Sequence, residues 1–247
     1  MENFRLKIEY NGSAFFGWQK QEEKRTVQGE LENAFFVLTG QEVSVEGSGR
    51  TDRGVHAFGQ VASVKFENKI PLKNLKGALN NLLPPDVYVK KIERVDDEFH
   101  ARFSAKRKTY RYVVQVGGER SAIEHDRVAY FSYKIDEEKI RLIANMLVGK
   151  HNFKAFASAD TNVSSFEREI FDIKISKRGR KFVFDVTGNG FLYNMVRIIV
   201  GTLLDAGRGK ISETDIQKAF ETGERKYTGI TMPACGLYLL QVEYPKK

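Results

Sequence analysis

Cysteine is almost missing from this sequence. Cys235 stands alone among 247 residues, which excludes an internal disulfide framework and a cysteine-based zinc site. Its neighbours in Met232-Pro233-Ala234-Cys235-Gly236-Leu237 are mostly apolar, a setting that suits a buried structural thiol better than a catalytic one. Histidine is scarce as well. His56, His100, His125 and His151 are scattered, with no H-x-x-x-H pair, so no metal site is expected. No apolar run approaches the roughly 18 residues of a membrane span, so no membrane partner is expected. The opening Met1-Glu2-Asn3-Phe4-Arg5 starts directly in a strand-like pattern rather than a signal peptide, and the cytoplasm is the expected compartment. Phosphate-loop and dinucleotide fingerprints are absent, Gly47-x-Gly49 being too short to count as either. There is no short-period repeat, low-complexity tract or obvious flexible linker.

What remains is an ordinary globular composition, 41% hydrophobic and 29% charged. The length suits one large domain or two small ones with a sizeable core. The formal net charge is +8 and the pI about 9.4. Such an excess favours an anionic partner, nucleic acid first among them, although a basic enzyme with no such partner fits the charge equally well.

Alternating Phe4, Leu6, Ile8 and Tyr10 predict a half-buried strand that ends at Asn11-Gly12-Ser13. Thr26 caps an expected helix running to about Thr39, with Val27, Leu31, Ala34, Phe35 and Leu38 on one stripe and Gly40 as the stop. Glu42–Ser48 and Gly59–Glu67 read as strands. Pro71–Leu83 reads as a helix with Leu72, Leu75, Leu79 and Leu82 inward, stopped by Pro84-Pro85. Val87–Val95 and Lys108–Val116 read as strands. The link Asp96–Lys106 between them is the best seam, giving an N-terminal half over 1–103 and a C-terminal half over 104–247. The second half echoes the first. Asp136 caps a helix bearing Ile140, Ile143, Ala144 and Leu147, and Glu169–Ser176 and Lys181–Thr187 are strands around a basic turn. Leu192–Ala206 is a helix, Ser212-x-x-Asp215 starts another, and Gly236–Tyr244 is a final strand. Two related α+β units follow from this order, either with a sheet each or sharing one.

The most informative segment is Gly49-Arg50-Thr51-Asp52-Arg53-Gly54-Val55-His56. One carboxylate sits between two arginines, and opposite charge favours its ionised form. An ionised, partly desolvated carboxylate on a tight loop can act as nucleophile or base, while the arginines can hold phosphates. The combination suggests chemistry on a nucleic acid. The plain alternative is a turn aspartate capping local backbone N–H groups among ordinary surface arginines.

Elsewhere, Lys106, Lys108, Tyr110 and Tyr112 share one face of a strand that also carries Arg107 and Arg111. This is either a stacking-plus-phosphate surface for single-stranded nucleic acid or a strand with core-facing tyrosine and solvated basic neighbours. Lys174–Lys181 is a basic hairpin turn, solvated or in contact with RNA backbone. Arg197 lies inside the apolar run Phe191–Gly201 and needs a partner there. That partner is either any structural carboxylate or Asp52, which Arg197 would then aim. Trp18, in Phe15-Phe16-Gly17-Trp18, is read as core rather than as part of a ligand loop.

Taken together, these motifs resemble the tRNA pseudouridine synthase A family. The resemblance is carried, in chain order, by Glu9-Tyr10-x-Gly12-Ser13-x-x-x-Gly17-Trp18-Gln19, by the Asp52 loop, and by Ala78-Leu79-Asn80 with Leu83-Pro84. It continues through Phe99-His100-Ala101-Arg102-Phe103-Ser104-Ala105, Tyr110-Arg111-Tyr112, Met195-Val196-Arg197-x-Ile199-Val200-Gly201 and Gly236-Leu237-Tyr238-Leu239. Asn11 stands where the family is expected to carry Asp, and Arg53 where it is expected to carry a small residue. The resemblance implies an α+β pseudouridine synthase fold, in which two ferredoxin-like halves share a mixed, mostly antiparallel sheet with a central cleft. It implies a homodimer acting on tRNA without metal or organic cofactor, converting uridine to pseudouridine at positions 38 to 40 of the anticodon stem-loop.

In that picture Asp52 attacks C1′ of the ribose or C6 of the base, or abstracts the C2′ proton to give a glycal. Tyr110 stacks on the extruded uracil, Arg197 pairs with Asp52, Arg50 fills the gap left by the flipped base, and Leu237 lines the uracil pocket. Arg53, His56, Lys106, Arg107 and Arg111 are further RNA-binding candidates. Two alternatives stand beside this one. A non-catalytic RNA-binding protein would leave an aspartate in an RNA cleft without a reason. A metal-dependent nuclease normally needs several carboxylates around Mg²⁺, and Asp52 has no acidic neighbour in its loop.

Overall fold

The computed structural model describes residues 1–158 and 163–245. The chain forms two compact units, one spanning Met1–Lys106 and rejoined by the chain from Tyr238 on, the other spanning Arg107–Leu237. Each is α+β.

The first unit begins with β1 (Glu2–Tyr10), whose Phe4, Leu6, Ile8 and Tyr10 are all buried as the alternation predicts. Helix α1 (Val27–Thr39) is capped by the Thr26 side chain accepting from the Gly29 amide and is stopped by Gly40 in a left-handed conformation. Next come β2 (Glu46–Gly47), β3 (His56–Phe66), α2 (Leu72–Leu82) and β4 (Val87–Val95). The second unit holds β5 (Arg107–Val116), β6 (Ala129–Phe131), α3 (Glu137–Leu147), β7 (Gly149–Asn152), β8 (Glu167–Arg178) and β9 (Lys181–Gly188), then α4 (Met195–Gly207) and α5 (Glu213–Thr222). The last strand, β10 (Leu237–Glu243), returns to the first unit.

In the first unit β1 is central, antiparallel to β3 and to β4, while β10 runs parallel to β3 and the short β2 lies antiparallel to it. The β1-α1-β2-β3-α2-β4 succession with this strand order is the ferredoxin-like βαββαβ arrangement. The register pairs Phe4 with Val64 and Leu6 with Ala62, so one face of the sheet is apolar. On that face the Phe66 ring lies 4.7 Å from Phe4 and 5.2 Å from Phe35 of α1. In the second unit β9 pairs antiparallel with both β5 and β8, β7 extends the β8 edge, and β6 runs parallel to β5. The order β5-α3-β8-β9-α4 repeats the first five elements of the same pattern. The sheets are thus mostly antiparallel, with one parallel pair in each unit.

Three expectations are corrected. The strand expected over Glu42–Ser48 shrinks to Glu46–Gly47. Upstream, backbone and side chains bond elsewhere, the Val45 amide to Glu32 and the Gln41 amide group to both the N–H and C=O of Glu67. The following strand begins at His56 rather than Gly59. In α2 only Leu75 and Leu79 are buried, whereas Leu72 and Leu82 at the two ends are 37% and 43% exposed. Elsewhere the caps behave as expected, Asp136 accepting from the Glu138 and Lys139 amides and Ser212 forming a reciprocal capping box with Asp215.

Candidate active site

The Asp52 loop is built on the turn that follows β1. Trp18 donates its amide to the Thr51 carbonyl at 2.9 Å, and the Val55 amide closes back on the Asp52 carbonyl at 3.1 Å. Two glycines allow this approach. A Cβ on Gly12 would lie 1.9 Å from the Val55 carbonyl oxygen, and one on Gly17 would lie 2.6 Å from that of Thr51, with Gly17 at φ +97°. Tyr10-x-Gly12 and Gly17-Trp18 therefore belong with the loop although some 35 residues separate them in the chain. Trp18 itself is core, 2% exposed, its ring packed where a Gly47 side chain would otherwise sit.

Within this frame Asp52 is half-buried and Arg50 and Arg53 are exposed. The Arg53 guanidinium lies 4.4 Å from the centre of the Phe16 ring. His56, expected among the RNA contacts, is 2% exposed. Its Nδ1 accepts the Gly12 amide at 3.0 Å, so the proton of the neutral ring sits on Nε2. The ring stacks on Tyr238 at 4.7 Å, and Tyr238 in turn stacks on Phe58 at 5.0 Å. His56 thus braces the loop onto β10. Under the loop, Tyr10 Oη meets Thr51 Oγ1 at 2.7 Å, and Gln60 links Ser48 to the Gly49 carbonyl. Sequence reasoning missed this set. Tyr10 reads as one more core residue on an alternating strand, and no sequence signal marks its hydroxyl partner.

In the second unit, Tyr110 lies on β5 between core and surface, 8% exposed, with Phe191 edge-on at 5.2 Å. Tyr112, on the same face, is fully buried and donates to the Pro233 carbonyl at 2.6 Å. Every residue of α4 except Arg197 is buried. Arg197 is half-buried near the helix start, its Nε donating to the Met232 carbonyl and its Nη1 to Asn194 Oδ1, both at 2.6 Å. Leu237 is 6% exposed at the start of β10. Cys235, expected to be buried, is half-buried, and that burial pushes its thiol up, away from the reactive thiolate.

The basic candidates differ in how they are engaged. Lys106 and Arg107 are exposed, with Arg107 4.6 Å from the centre of the Phe171 ring. Arg111, by contrast, makes a two-pronged pair with Asp185, both contacts at 2.8 Å. Those hydrogen bonds hold the guanidinium in its charged form against a smaller desolvation effect. In the basic turn Lys177 pairs with Glu137 and Lys181 with Glu124, while Arg178 and Arg180 line a hollow of about 480 Å³ with Gln115 and Lys181. Among the described residues no three His, Cys, Asp or Glu side chains converge to hold a metal ion, and no helix is long and apolar enough to cross a membrane.

Residues 7–104 and 143–245 match the family model described as tRNA pseudouridine synthase. Three relatives extend the match. The tRNA pseudouridine synthase A of Caldicellulosiruptor saccharolyticus is 44% identical over 244 residues, covering 99% of this chain and 100% of that protein. The protein of the same name from Acetivibrio thermocellus is 43% identical with the same coverage. That from Anoxybacillus flavithermus is 43% identical over 245 residues, covering 99% of each.

Proposed function

The chain belongs to the tRNA pseudouridine synthase family, is an isomerase of uridine in tRNA, and, we propose, uses Asp52 as its nucleophile on uridines at positions 38 to 40 of the anticodon stem-loop. In this isomerisation the N1–C1′ bond breaks and a C5–C1′ bond forms, while one proton leaves C5 and one is gained at N1. No electron is gained or lost overall. Attack at C1′, attack at C6 and abstraction of the C2′ proton all begin from the same ionised carboxylate. The observation that carries the assignment is the loop itself, a half-buried aspartate whose backbone is gripped from beneath at Thr51 and Val55 by Trp18 and by the close packing of Gly12 and Gly17. Held backbone and a short side chain leave the carboxylate little conformational freedom to lose on reaction.

The other roles follow from residue chemistry. Tyr110 stacks on the extruded uracil and assists loss of the C5 proton, and Leu237 supplies an apolar wall. Arg197 spends two N–H groups on Met232 and Asn194, and the guanidinium has five. Its remaining donors suit pairing with the Asp52 carboxylate. Arg50 occupies the gap left by the flipped nucleotide, offsetting an unstacking cost of a few kcal/mol. Exposed Arg53, Lys106 and Arg107 supply phosphate contacts, which weaken as salt rises. His56 and Arg111 are already engaged by Gly12 and Asp185, so they act as braces rather than primary RNA contacts. The enzyme works as a homodimer in the cytoplasm and needs neither metal nor cofactor.

The test is pseudouridine formation on a defined tRNA transcript in EDTA, with the modified positions mapped by carbodiimide-dependent primer-extension stops and the assembly mass measured by sedimentation. Modification at 38 to 40 by a dimer supports the proposal. Modification elsewhere in the tRNA overturns the anticodon assignment.

A further inference from the structure

One face of α4 carries a hydroxyl and a carboxylate, those of Thr202 and Asp205, that the roles above leave unused. Both residues are fully buried. Each is spent on the backbone of the 228–233 segment, which lies in no helix or strand and so needs partners from outside for its amides. The Gly229 amide donates to Thr202 Oγ1 at 2.9 Å, and that hydroxyl donates onward to the Ile198 carbonyl at 2.8 Å. An amide only donates and a carbonyl only accepts, so both bonds have a fixed direction. The Ile230 amide donates to Asp205 Oδ2 at 3.2 Å, and Arg208 Nε, 2.8 Å from Oδ1, balances the buried charge. Gly201 lets the segment lie this close, since a Cβ there would be 1.8 Å from the Ile230 carbonyl oxygen. Farther on, the Met232 amide donates to the Arg197 carbonyl at 3.3 Å, and Tyr112 holds the Pro233 carbonyl at 2.6 Å. The segment is thus strapped along α4.

The strap bears on the chemistry through its Met232 carbonyl. That oxygen takes Arg197 Nε, and Asn194 Oδ1 takes Nη1. A guanidinium is a rigid plane, so two acceptors fix its direction. Asn194 is itself held, its Nδ2 donating to Ser158 Oγ at 2.7 Å. The Met232 oxygen is only as steady as the strap that carries it. We propose that Thr202 and Asp205 are positioning residues that clamp the 228–233 strap to α4 and, through the Met232 carbonyl, set the aim of the Arg197 guanidinium. The effect on rate rests on the role proposed above for Arg197, whereas the clamping of the strap stands apart from it.

The experiment uses the full chain with Thr202→Val, Thr202→Ser and Asp205→Asn, and with Thr202→Val combined with Arg197→Ala. Release of label from tRNA carrying [5-³H]uridine gives kcat and KM, and hydrogen exchange of the 228–233 segment gives strap order. Thr202→Val keeps the shape and removes the acceptor, and is expected to lower kcat by about 10-fold with KM unchanged. Thr202→Ser, which keeps the hydroxyl, should stay within about 3-fold of wild type on the same grounds. Asp205→Asn removes the charge beside Arg208 and should lower kcat by about 3- to 10-fold. Strap exchange should quicken in Thr202→Val. In the Arg197→Ala background Thr202→Val should cost no further kcat, because residues acting through one another are not additive. Full multiplication of the two losses would overturn the route through Arg197. Equal losses in the Val and Ser variants would overturn the hydroxyl's part, and wild-type kcat in Thr202→Val or Asp205→Asn would overturn the role of that residue. If wild type releases no label from any tRNA, the synthase reading has failed. Strap exchange then still decides the clamp, faster exchange in Thr202→Val supporting it and unchanged exchange overturning it.

Discussion

Gly17→Ala is the sharpest test of how the Asp52 loop is held. A Cβ at this position would lie 2.6 Å from the Thr51 carbonyl oxygen, and ordinary contact begins near 3.4 Å, so the loop must give by roughly 0.8 Å. Gly17 also sits at φ +97°, which costs an L-residue about 1–2 kcal/mol. Forced movement of packed atoms adds about 1–3 kcal/mol. A total near 3 kcal/mol lowers Tm by roughly 6–12 °C for a chain of this size. Because the displaced oxygen belongs to the residue before Asp52, the proposed nucleophile, kcat should fall by on the order of 10- to 100-fold in the protein that remains folded. Gly40→Ala is the control. It has φ +71° with nothing within 4 Å of the added Cβ, so it should cost only about 1 kcal/mol and leave turnover unchanged. Thermal melting and tritium release below both transitions read the two quantities separately. Wild-type turnover by Gly17→Ala, with a Tm matching that of Gly40→Ala, would refute the packing argument.

Arg197→Ala should reduce turnover and also cost about 1–3 kcal/mol, because the Met232 carbonyl loses its donor. Arg197→Lys should recover less than half of the rate, since a lysine cannot reproduce the fork. An unchanged rate in Arg197→Ala refutes the pairing with Asp52. Arg107→Ala should weaken tRNA binding and reduce its salt dependence by about one counterion. Arg111→Ala should leave the salt slope unchanged and cost about 1 kcal/mol of stability through loss of a half-exposed pair with Asp185, as filter binding and urea denaturation can measure. Stability at alkaline pH follows from Tyr10, Tyr112 and Tyr244, whose phenols are raised by burial, and from the Cys235 thiol, raised for the same reason. A group held above its unfolded value contributes fully below that value and loses the contribution as pH rises, so stability should begin to fall near the ordinary thiol value of about 8.5 and, above about pH 10, fall by up to about 4 kcal/mol per pH unit from the three phenols. Tyr10→Phe should remove about a third of the slope above pH 10, and an unchanged slope would show that Tyr10 ionises freely in the folded protein.

Much of this architecture was legible in the sequence because it is written in local chemistry. The alternation of β1, the Thr26, Asp136 and Ser212 caps and the apolar α4 with Arg197 near its start each need only neighbouring residues to be recognised. The strands β6 and β7 were not, since three or four residues carry no detectable period. Leu72 and Leu82 fit the helical stripe by angle, but the ends of α2 remain exposed. At the site, Asp52 stood out by its charged neighbours, while its supports did not. Tyr10 and Thr51 are 41 residues apart, and Arg111 and Asp185 are 74 apart, so only the fold reveals that one pair carries the loop and that the other occupies an expected RNA contact. His56 was expected among the RNA contacts, and only the fold shows it buried with its Nδ1 accepting the Gly12 amide.

The central claim is that Asp52 is the nucleophile. The direct measurement is label release from [5-³H]uridine tRNA in EDTA by wild type and Asp52→Asn, with tRNA affinity measured alongside. Asn keeps the shape of the side chain and removes its charge. The account predicts release by wild type, a loss of at least about 10³-fold in the variant, and affinity little changed. Release by Asp52→Asn near the wild-type rate would contradict it.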